Sequence, residues 1–315
     1  MVEVFGKKAT RFGFGEGLVE LGKENPKIFV LGADTVSSVA LNNFAELFPD
    51  RFINVGIAET NLIGMAAGLA VLGFIPFVST YGVFSTGRPW EQIRTTVCYS
   101  NLNVKIGGSH SGLTVGPDGA THQALEEIAI MRCIPRMRVI SPCDLVETKK
   151  AVIASAYSDG PVYIRYGREN TPIFTKEDTP FEIGRANILR DGNDVAILAC
   201  GTMVYESLMA AEILEKKGIK AKIINIHTIK PIDEKTIINA AKECGAIVTA
   251  EEHQIYGGFG SAVAEVIVKN HPVPVEMVGV NDRFGESGEG MDLLNKFGLK
   301  DVNIADAVLK VLKRK

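Results

Sequence analysis

Short apolar runs alternate with segments of helical length along almost the whole chain, and this alternation constrains the fold more than any other feature. In the first half, the apolar runs fall at 27–32, 52–56, 74–80, 103–108, 137–141 and 162–166. The helical segments between them include 61–72, 89–100, 124–132 and 144–157. Parallel strands need a crossover connection, usually a helix, so this order is typical of a mainly parallel sheet with helices on both faces. The pattern predicts an α/β protein.

The alternation lapses once, in the polar stretch 167–184, and then resumes. The second set of predicted strands is 195–199, 221–226, 246–250 and 273–280, with helices at 204–217, 234–244 and 259–269 and two more at the end. A chain of 315 residues exceeds a usual single core. We therefore predict two α/β domains, each a mainly parallel sheet flanked by helices, at 1–170 and 186–315, joined by a linker at 171–185.

Composition narrows the classes of partner. The formal net charge is −3, and no Lys/Arg-rich block appears before the last few residues, which argues against nucleic acid as a partner. The segment 61–78 carries no charge and is close to the length of a membrane span. Gly73 and Pro76 divide it, however, into a buried helix and a buried strand. We expect a soluble protein that does not contact a membrane.

The five cysteines are odd in number and scattered, with no C-x-x-C pair. This usage fits a reducing compartment and argues against disulfides and a zinc site. The first eight residues contain no apolar core of a signal peptide. We therefore expect a cytoplasmic protein and assign no metal ligands to this chain.

The loop 109–123, with the sequence SHSGLTVGPDGATHQ, follows the predicted strand 103–108. Its Ser, Gly and Pro residues do not build a core, so His110, Asp118 and His122 are displayed rather than packed. Asp118 and His122 are four residues apart where the loop is predicted to enter a helix, so both could face one cavity. Taken alone, an aspartate that caps this helix explains the loop equally well.

Polar or aromatic residues also follow four other strands of the first predicted sheet: Asp34, Glu59, the pair Tyr81 and Phe84, and Arg168. Ligands bind beyond the carboxyl ends of parallel strands, so we expect these residues to share one rim with the loop 109–123. Each has a structural alternative. In these alternatives, Asp34 caps the next helix, and Glu59 is a first-turn acid that the helix dipole favours. The aromatic rings belong to the core, and Arg168 is solvated unless an anion lies nearby.

A further polar cluster, Glu251-Glu252-His253, follows the second-domain strand 246–250. A second ligand site and a structural role at an interface both remain open for it. His227 and His271 have no partner spacing and are interpreted as structural or surface groups.

Taken together, these residues resemble the C-terminal half of transketolase, a thiamine-diphosphate enzyme, over essentially the whole chain. The matching segments are Gly-Ala-Asp at 32–34, Gly-Ile-Ala-Glu-Thr-Asn at 56–61, 84–89, 110 with 115–123, 132–135, 166–168 and 282–285. The run D-G-x-T-H-Q combined with G-I-A-E is highly specific. The resemblance implies a pyrimidine-binding domain followed by the transketolase C-terminal domain, in agreement with the two predicted domains.

The resemblance assigns the cofactor contacts. Glu59 matches the acid that hydrogen-bonds a ring nitrogen of the aminopyrimidine of thiamine diphosphate. A carboxyl group in mostly apolar surroundings can stay protonated or share its proton with such a nitrogen. Phe84 matches the aromatic residue that stacks on the pyrimidine, with Tyr81 beside it. Asp34 and Ile57, in matching segments, are assigned to the same cofactor site.

The resemblance also assigns the substrate contacts. His110 and His122 match histidines that line the sugar channel, and with Glu59 they are the predicted catalytic residues. Asp118 matches the aspartate that recognises a donor hydroxyl. Charge-assisted bonds to a phosphate are strong and directional, and the groups matching those that bind the sugar phosphate are Arg11, Ser38 and Arg168. The implied activity is transfer of a two-carbon ketol unit between phosphorylated sugars.

The chain departs from the family in two places. No Gly-Asp-Gly occurs in it, although the family uses that motif to hold the cofactor's diphosphate through Mg²⁺. We therefore expect this chain to bind only the pyrimidine end, as the C-terminal subunit of a split transketolase. A separate N-terminal subunit would carry Gly-Asp-Gly and Mg²⁺, and two of each chain would form a heterotetramer. The second departure is Gly87, where the family often has an aromatic residue.

Three other readings stay open. Deoxyxylulose-phosphate synthase resembles the chain at Glu59 and at D-G-x-T-H-Q but lacks an equivalent of His110. The β subunits of 2-oxoacid dehydrogenases lack D-G-x-T-H-Q. A paralogue that binds a partner without catalysis is the third, and the joint presence of Glu59, His110, Asp118 and His122 argues against it.

Overall fold

The structure is a computed structural model that describes residues 2–315. The first half contains eight strands and seven α-helices. In chain order they are β1 (Lys7–Ala9), α1 (Thr10–Glu24), β2 (Ile28–Gly32), α2 (Asn42–Leu47), β3 (Phe52–Asn54), α3 (Glu59–Val71), β4 (Ile75–Tyr81), α4 (Gly82–Gly87), α5 (Trp90–Gln92), β5 (Lys105–Ser109), α6 (Glu127–Arg132), β6 (Arg138–Ile140), α7 (Leu145–Ala156), β7 (Val162–Arg165) and β8 (Asn170–Pro172). A π-helical stretch, Ile93–Tyr99, continues α5, and 3₁₀ turns cover Pro49–Arg51 and Leu113–Asp118.

The second half contains six strands and five helices. They are β9 (Asn187–Arg190), β10 (Val195–Ala199), α8 (Met203–Glu215), β11 (Ala221–Asn225), β12 (Thr228–Lys230), α9 (Glu234–Cys244), β13 (Ile247–Gln254), α10 (Phe259–Asn270), β14 (Val275–Val280), α11 (Gly290–Lys296) and α12 (Asp301–Leu312). Within residues 2–315, the structure has no helix of the length and apolar character that a bilayer crossing requires.

The larger sheet has seven strands in the order β12-β6-β7-β5-β4-β2-β3, and its six first-half strands run parallel. The carboxyl ends of its central strands are level, because Gly32 pairs with Ser79, Thr80 with Gly108, and Gly108 with Arg165. The predicted parallel sheet is confirmed. Whatever follows β2, β3, β4, β5 and β7 therefore emerges at one edge.

The smaller sheet has the order β14-β13-β10-β11-β9, with four parallel strands and an antiparallel edge strand, β9. The two-sheet α/β architecture is thus as predicted. The two halves are more closely joined than two separate sheets, since β12 of the second half pairs antiparallel with β6 of the first. Strand β12 has the sequence Thr-Ile-Lys, with a single apolar residue, so the sequence pattern did not reveal it.

One local expectation was wrong. The helix expected at 124–132 begins only at Glu127, so the four-residue spacing of Asp118 and His122 lies outside a helix. The 3₁₀ turn Leu113–Asp118 ends at Asp118, and a turn at 120–122 follows Gly119, whose φ of +74° suits glycine. The stretch expected to be a plain linker begins with an ordered strand, since β8 pairs antiparallel with β1.

Helix α1 packs closely on α7 because it is rich in glycine on that side. A Cβ atom on Gly13 would lie 2.2 Å from the carbonyl oxygen of Leu145, and one on Gly17 would lie 2.9 Å from Cβ of Val152. The N-terminus of α7 is capped by buried Asp144, which accepts from the Glu147 N–H at 2.9 Å. This packing fixes the N-terminal end of α1, where Arg11 lies.

Candidate active site

Glu59 is the first residue of α3, directly after the turn that leaves β3. Gly56 has a φ of +74° in that turn and donates its N–H to Asn54 Oδ1 at 3.2 Å. The Glu59 side chain is 5% exposed and does not cap its own helix. Both of its carboxylate oxygens instead lie 2.9 Å from Nη1 of Arg88. The buried acid thus points across the carboxyl edge of the sheet toward α4.

Four rings from β4, α4 and the loop after β5 form a contiguous group, which we call the ring cluster: Tyr81, Phe84, His110 and His122. Tyr81 stacks on His110 with centroids 4.1 Å apart and planes 10° apart. Phe84 and Tyr81 lie parallel at 6.2 Å, and His122 meets Phe84 edge-on at 5.3 Å. Such arrangements are favourable aromatic contacts. The expectation that these residues lie together at one rim therefore matches the geometry.

His110 is almost completely buried within the ring cluster. It has a φ of +53°, and its Nδ1 lies 2.8 Å from the hydroxyl of Ser109. Burial lowers the pKa of the imidazole to about 3, and the nearby Arg11 and Arg168 act in the same direction. The ring is therefore neutral at physiological pH, so it can exchange hydrogen bonds with a polar ligand without carrying charge.

Two arginines and an acid adjoin the ring cluster. Arg168, three residues after β7, places Nη1 3.0 Å from Oδ1 of Asp118 and 3.2 Å from the Val115 carbonyl. Arg11, at the start of α1, is half-buried, and its pKa is lowered by burial and by the charge of Arg168. The alternative that Arg168 is merely solvated is wrong, since it holds the loop that carries Asp118. Two guanidinium groups this close suit a phosphate or another divalent anion.

Asp34 and Ser38 follow β2, and Ile57 follows β3, the two strands beyond β4 in the order of the larger sheet. Asp34, with a φ of +60°, exchanges hydrogen bonds with Asn54 at the ends of β2 and β3. Ile57 is 74% exposed in the turn before α3. Ser38 lies in the turn after Asp34. Within residues 2–315, neither Asp34 nor Ser38 shares a hydrogen bond, ion pair or ring contact with the ring cluster.

The second half of the chain holds the loop 109–123 in place. Buried Glu252 of β13 accepts from the Thr114 N–H at 2.7 Å and from the Thr202 hydroxyl at 3.0 Å. Gln123 donates to the carbonyl of Leu113 at 3.1 Å and to that of Glu286 at 2.9 Å. A loop rich in glycine thereby gains fixed partners on both sides.

The cluster Glu251-Glu252-His253 has a structural role. Glu251 accepts the N–H groups of Phe259 and Gly260, each at 2.7 Å, and so caps α10, while burial raises its pKa to about 8. His253 Nε2 accepts from the Ile128 N–H at 3.2 Å, and burial lowers the pKa of this ring. All three side chains bind elements of the fold, which decides between the alternatives that the sequence left open.

Arg88 was not singled out from the sequence, although it is the only side chain that contacts both Glu59 and Phe84 among the hydrogen bonds and ring contacts of residues 2–315. Its guanidinium carbon lies 4.3 Å from the Phe84 ring centroid. Its spacing from Phe84 was one available signal, because residues four apart on a helix face the same side. Ser109, the partner of His110, was also missed. Within residues 2–315, no group of three or more His, Cys, Asp or Glu side chains is arranged to hold a metal ion.

Comparison with known proteins decides the family. The family model for the transketolase pyrimidine binding domain matches residues 6–173, and the model for the transketolase C-terminal domain matches residues 184–304. The chain belongs to the transketolase family. The resemblance stated from the sequence is confirmed, and the pyrimidine-binding domain of a transketolase implies thiamine diphosphate as the cofactor.

Three relatives of this transketolase-family chain match it nearly end to end. A protein of Methanocaldococcus jannaschii described as a transketolase C-terminal section is 48% identical, over 98% of this chain and 97% of its own. The 6-deoxy-6-sulfo-D-fructose transketolase subunit SqwH of a Clostridium species is 43% identical, over 95% and 92%. A solved structure of a split-gene transketolase, described as an inactive β4 tetramer, is 47% identical with a TM-score of 0.91, over 98% and 100%.

The side chains present fit the pyrimidine end of thiamine diphosphate. The fit rests on Arg88, whose flat guanidinium lies on Phe84 while one of its N–H-bearing nitrogens faces the buried carboxylate of Glu59. An aminopyrimidine has the same needs, which are an aromatic face to stack on and an acid for a ring nitrogen. The transketolase fold thus offers this ring a stacking surface and a hydrogen-bonding partner on neighbouring elements.

Proposed function

We propose that the chain is the C-terminal subunit of a split transketolase. Together with a separate subunit that binds diphosphate and Mg²⁺, it transfers a two-carbon ketol unit from a ketose phosphate to an aldose phosphate. One observation carries the proposal. The buried carboxylate of Glu59 and the face of Phe84 both contact the same planar cation, at the edge where the ring cluster and two arginines also lie.

The proposed division of labour among the side chains follows from their environments. Bound thiamine diphosphate supplies the nucleophilic carbon and the electron sink. Glu59 holds a proton between its carboxyl group and a ring nitrogen. Phe84 orients the ring by stacking, with Tyr81 beside it. Asp34 and Ile57 line the same cofactor site from the adjoining strand ends.

On the substrate side, His110 offers a neutral hydrogen-bonding edge and His122 lines the channel beside it. Asp118 accepts from a donor-sugar hydroxyl, and Arg168 holds Asp118 in position while it faces the anion. Arg11, Arg168 and Ser38 bind the sugar phosphate. Because burial and the charge of Arg168 lower the pKa of Arg11, a bound dianion would offset the repulsion between the two guanidinium groups.

The proposed partner is an N-terminal transketolase subunit that carries Gly-Asp-Gly and Mg²⁺, a motif that this sequence lacks. The relative described as a C-terminal section supports a division of the enzyme into two chains. The split-gene relative, described as an inactive tetramer of β chains, supports both self-association and dependence on a partner. We propose a heterotetramer with two of each chain and the cofactor at the interface.

The substrates are proposed as phosphorylated or similarly anionic sugars, since one relative is described as a transketolase of a sulfo-sugar. The buried His110 favours ketol transfer over deoxyxylulose-phosphate synthesis, whose enzymes lack its equivalent. We also propose the cytoplasm as the compartment, because all five cysteines are free thiols. The domain division at 1–170, 171–185 and 186–315 stays a proposal. Strand β12 belongs to the proposed second domain by sequence but pairs with the sheet of the first.

Reconstitution tests this proposal. The purified chain is mixed with the companion subunit, thiamine diphosphate and Mg²⁺, and ketol transfer from xylulose phosphate to ribose phosphate is measured. Activity should require both subunits, and Glu59→Gln should abolish it while the circular dichroism spectrum stays unchanged. Glu46→Gln, an exposed glutamate of α2, is the matched control and should keep full activity. Full activity of the Glu59→Gln complex would remove Glu59 from its proposed role.

A further inference from the structure

Arg88 makes two contacts that the proposed function reserves for the cofactor. Its guanidinium carbon lies 4.3 Å from the centroid of Phe84, and its Nη1 lies 2.9 Å from each carboxylate oxygen of Glu59. A guanidinium is planar, carries its N–H groups in that plane and stacks well on aromatic rings. In its flat shape, and in placing a nitrogen against the Glu59 carboxyl group, it stands in for an aminopyrimidine ring, although the guanidinium donates to the carboxylate whereas a ring nitrogen accepts from the acid.

Arg88 and the aminopyrimidine ring of the cofactor cannot occupy this place at the same time. A single nitrogen of Arg88 engages both oxygens of Glu59, and the rest of the guanidinium covers the face of Phe84. A second flat group therefore cannot stack on this face and hydrogen-bond this carboxylate until Arg88 leaves.

The local structure lets Arg88 leave at small cost. It follows α4 directly, four residues after Phe84, and its side chain is 50% exposed. Glu59, by contrast, is buried in the first turn of α3. A rotamer change moves the arginine into solvent, whereas the carboxylate stays in place.

We propose that Arg88 is an autoinhibitory placeholder that occupies the pyrimidine site of the free subunit and is displaced when the cofactor enters. This inference rests on the proposed function. In the free chain, Arg88 pairs with a buried carboxylate that would otherwise be left without a counter-charge. When Arg88 departs, the carboxyl group of Glu59 becomes free to hydrogen-bond a ring nitrogen of the cofactor.

The affinity of the complex for thiamine diphosphate tests this. The full chain, wild-type or Arg88→Ala, is assembled with the companion subunit and Mg²⁺, and Kd is measured by titration calorimetry. Removing the competitor should tighten Kd about threefold to tenfold, since a half-exposed ion pair and a cation–π contact are both modest. The midpoint of thermal unfolding of the free chain should fall at the same time, because Glu59 loses its partner.

A tighter Kd together with a less stable free chain is the signature of a placeholder. A structural role would lower stability and also weaken binding, and an arginine that stays in contact with the bound cofactor would weaken binding. An unchanged or weaker Kd for Arg88→Ala overturns the proposal. Arg94→Ala is the matched control, because it removes the same charge from an exposed position six residues along and should leave Kd unchanged.

Two further variants keep the outcomes distinct. Arg88→Lys keeps the charge for Glu59 but has no planar group for Phe84, so its Kd should lie between those of wild type and Arg88→Ala. It also replaces Arg88→Ala if that variant does not assemble, and a Kd equal to or weaker than wild type then overturns the proposal. Glu59→Gln distinguishes a failure of the proposed function from a failure of the placeholder proposal. If it binds thiamine diphosphate as wild type does, the proposed function itself fails. If it binds weakly while Arg88→Ala also binds weakly, only the placeholder fails.

Discussion

At the scale of single residues, burial decides what His110 can do. The residue type and its loop were predicted from the sequence, but its ionisation could not be, because the pKa depends on neighbours from three other segments. Tyr81 covers one face of the ring, Ser109 faces Nδ1, and Arg11 and Arg168 lie nearby. Because the ring is neutral, His110 acts as a hydrogen-bonding group and carries no positive charge.

This shift predicts a dependence of stability on pH. The folded imidazole takes up a proton only near pH 3, whereas the unfolded one does so near 6.5. Between these values the unfolded chain binds more protons, so stability falls as pH falls from about 6.5 toward 3. Urea unfolding of wild type and His110→Gln from pH 7 to pH 4.5 should show the variant losing less stability, by roughly 1 kcal/mol per pH unit below pH 6. Parallel curves would mean that His110 is not held neutral by the fold.

The acid–arginine pair shows where sequence reasoning reached its limit at this scale. Glu59 and Phe84 were both assigned from matching segments, and the rim that brings them together follows from the general rule for parallel sheets. Their common partner Arg88 lies 29 residues from Glu59 in the chain, so only the three-dimensional structure could show the ion pair.

At the scale of elements, the bounds of the long buried strands and helices were predicted from the sequence to within a few residues. Each buried strand shows as a continuous apolar run, and each helix has apolar residues on the face that packs on a sheet. The strands β1, β8, β9 and β12 have three or four residues, mostly part-exposed, and gave no such signal. Helix ends were misplaced where a loop continues in 3₁₀ and bent conformations, as it does before α6.

Replacing glycine by alanine should change the free energy of unfolding in opposite directions at two helical positions. Gly13→Ala places a methyl group against the backbone carbonyl of Leu145, which cannot yield easily, and should destabilise the chain by about 1–3 kcal/mol. Gly64→Ala, in α3, meets open space and should stabilise the free chain by about 0.5–1 kcal/mol, because alanine is the better helix former. Urea unfolding of both variants measures the two signs. Equal effects would contradict the close packing of α1 on α7.

At the scale of the whole molecule, buried charges tie the two halves together. Arg165 at the end of β7 pairs with buried Glu127 and donates to the Glu252 carbonyl of β13 at 2.7 Å. Glu252 in turn holds the loop that carries Asp118. These partners are separated by up to 138 residues in sequence, so no local sequence pattern predicts their contacts. The site loop therefore depends on the second half of the chain.

Breaking this network should be costly. Arg165→Met leaves Glu127 buried without its counter-charge, and we expect a loss of about 3–5 kcal/mol in the free energy of unfolding. Arg185→Met removes an arginine that is 63% exposed and should change stability by less than about 0.5 kcal/mol. Chemical denaturation of both variants tests the difference. A loss for Arg165→Met as small as that of the control would show that Arg165 neither balances the charge of Glu127 nor holds the two halves together through the Glu252 carbonyl.

The most direct test of the whole account is a crystal structure of the chain assembled with its companion subunit, Mg²⁺ and thiamine diphosphate, and the quantity to measure is the distance from the Glu59 carboxyl group to the aminopyrimidine. The account predicts about 2.6–3.2 Å between a Glu59 oxygen and a ring nitrogen, with the ring against Phe84 and Arg88 turned away. A loaded complex in which Glu59 still pairs with Arg88, while the aminopyrimidine lies elsewhere, would contradict it.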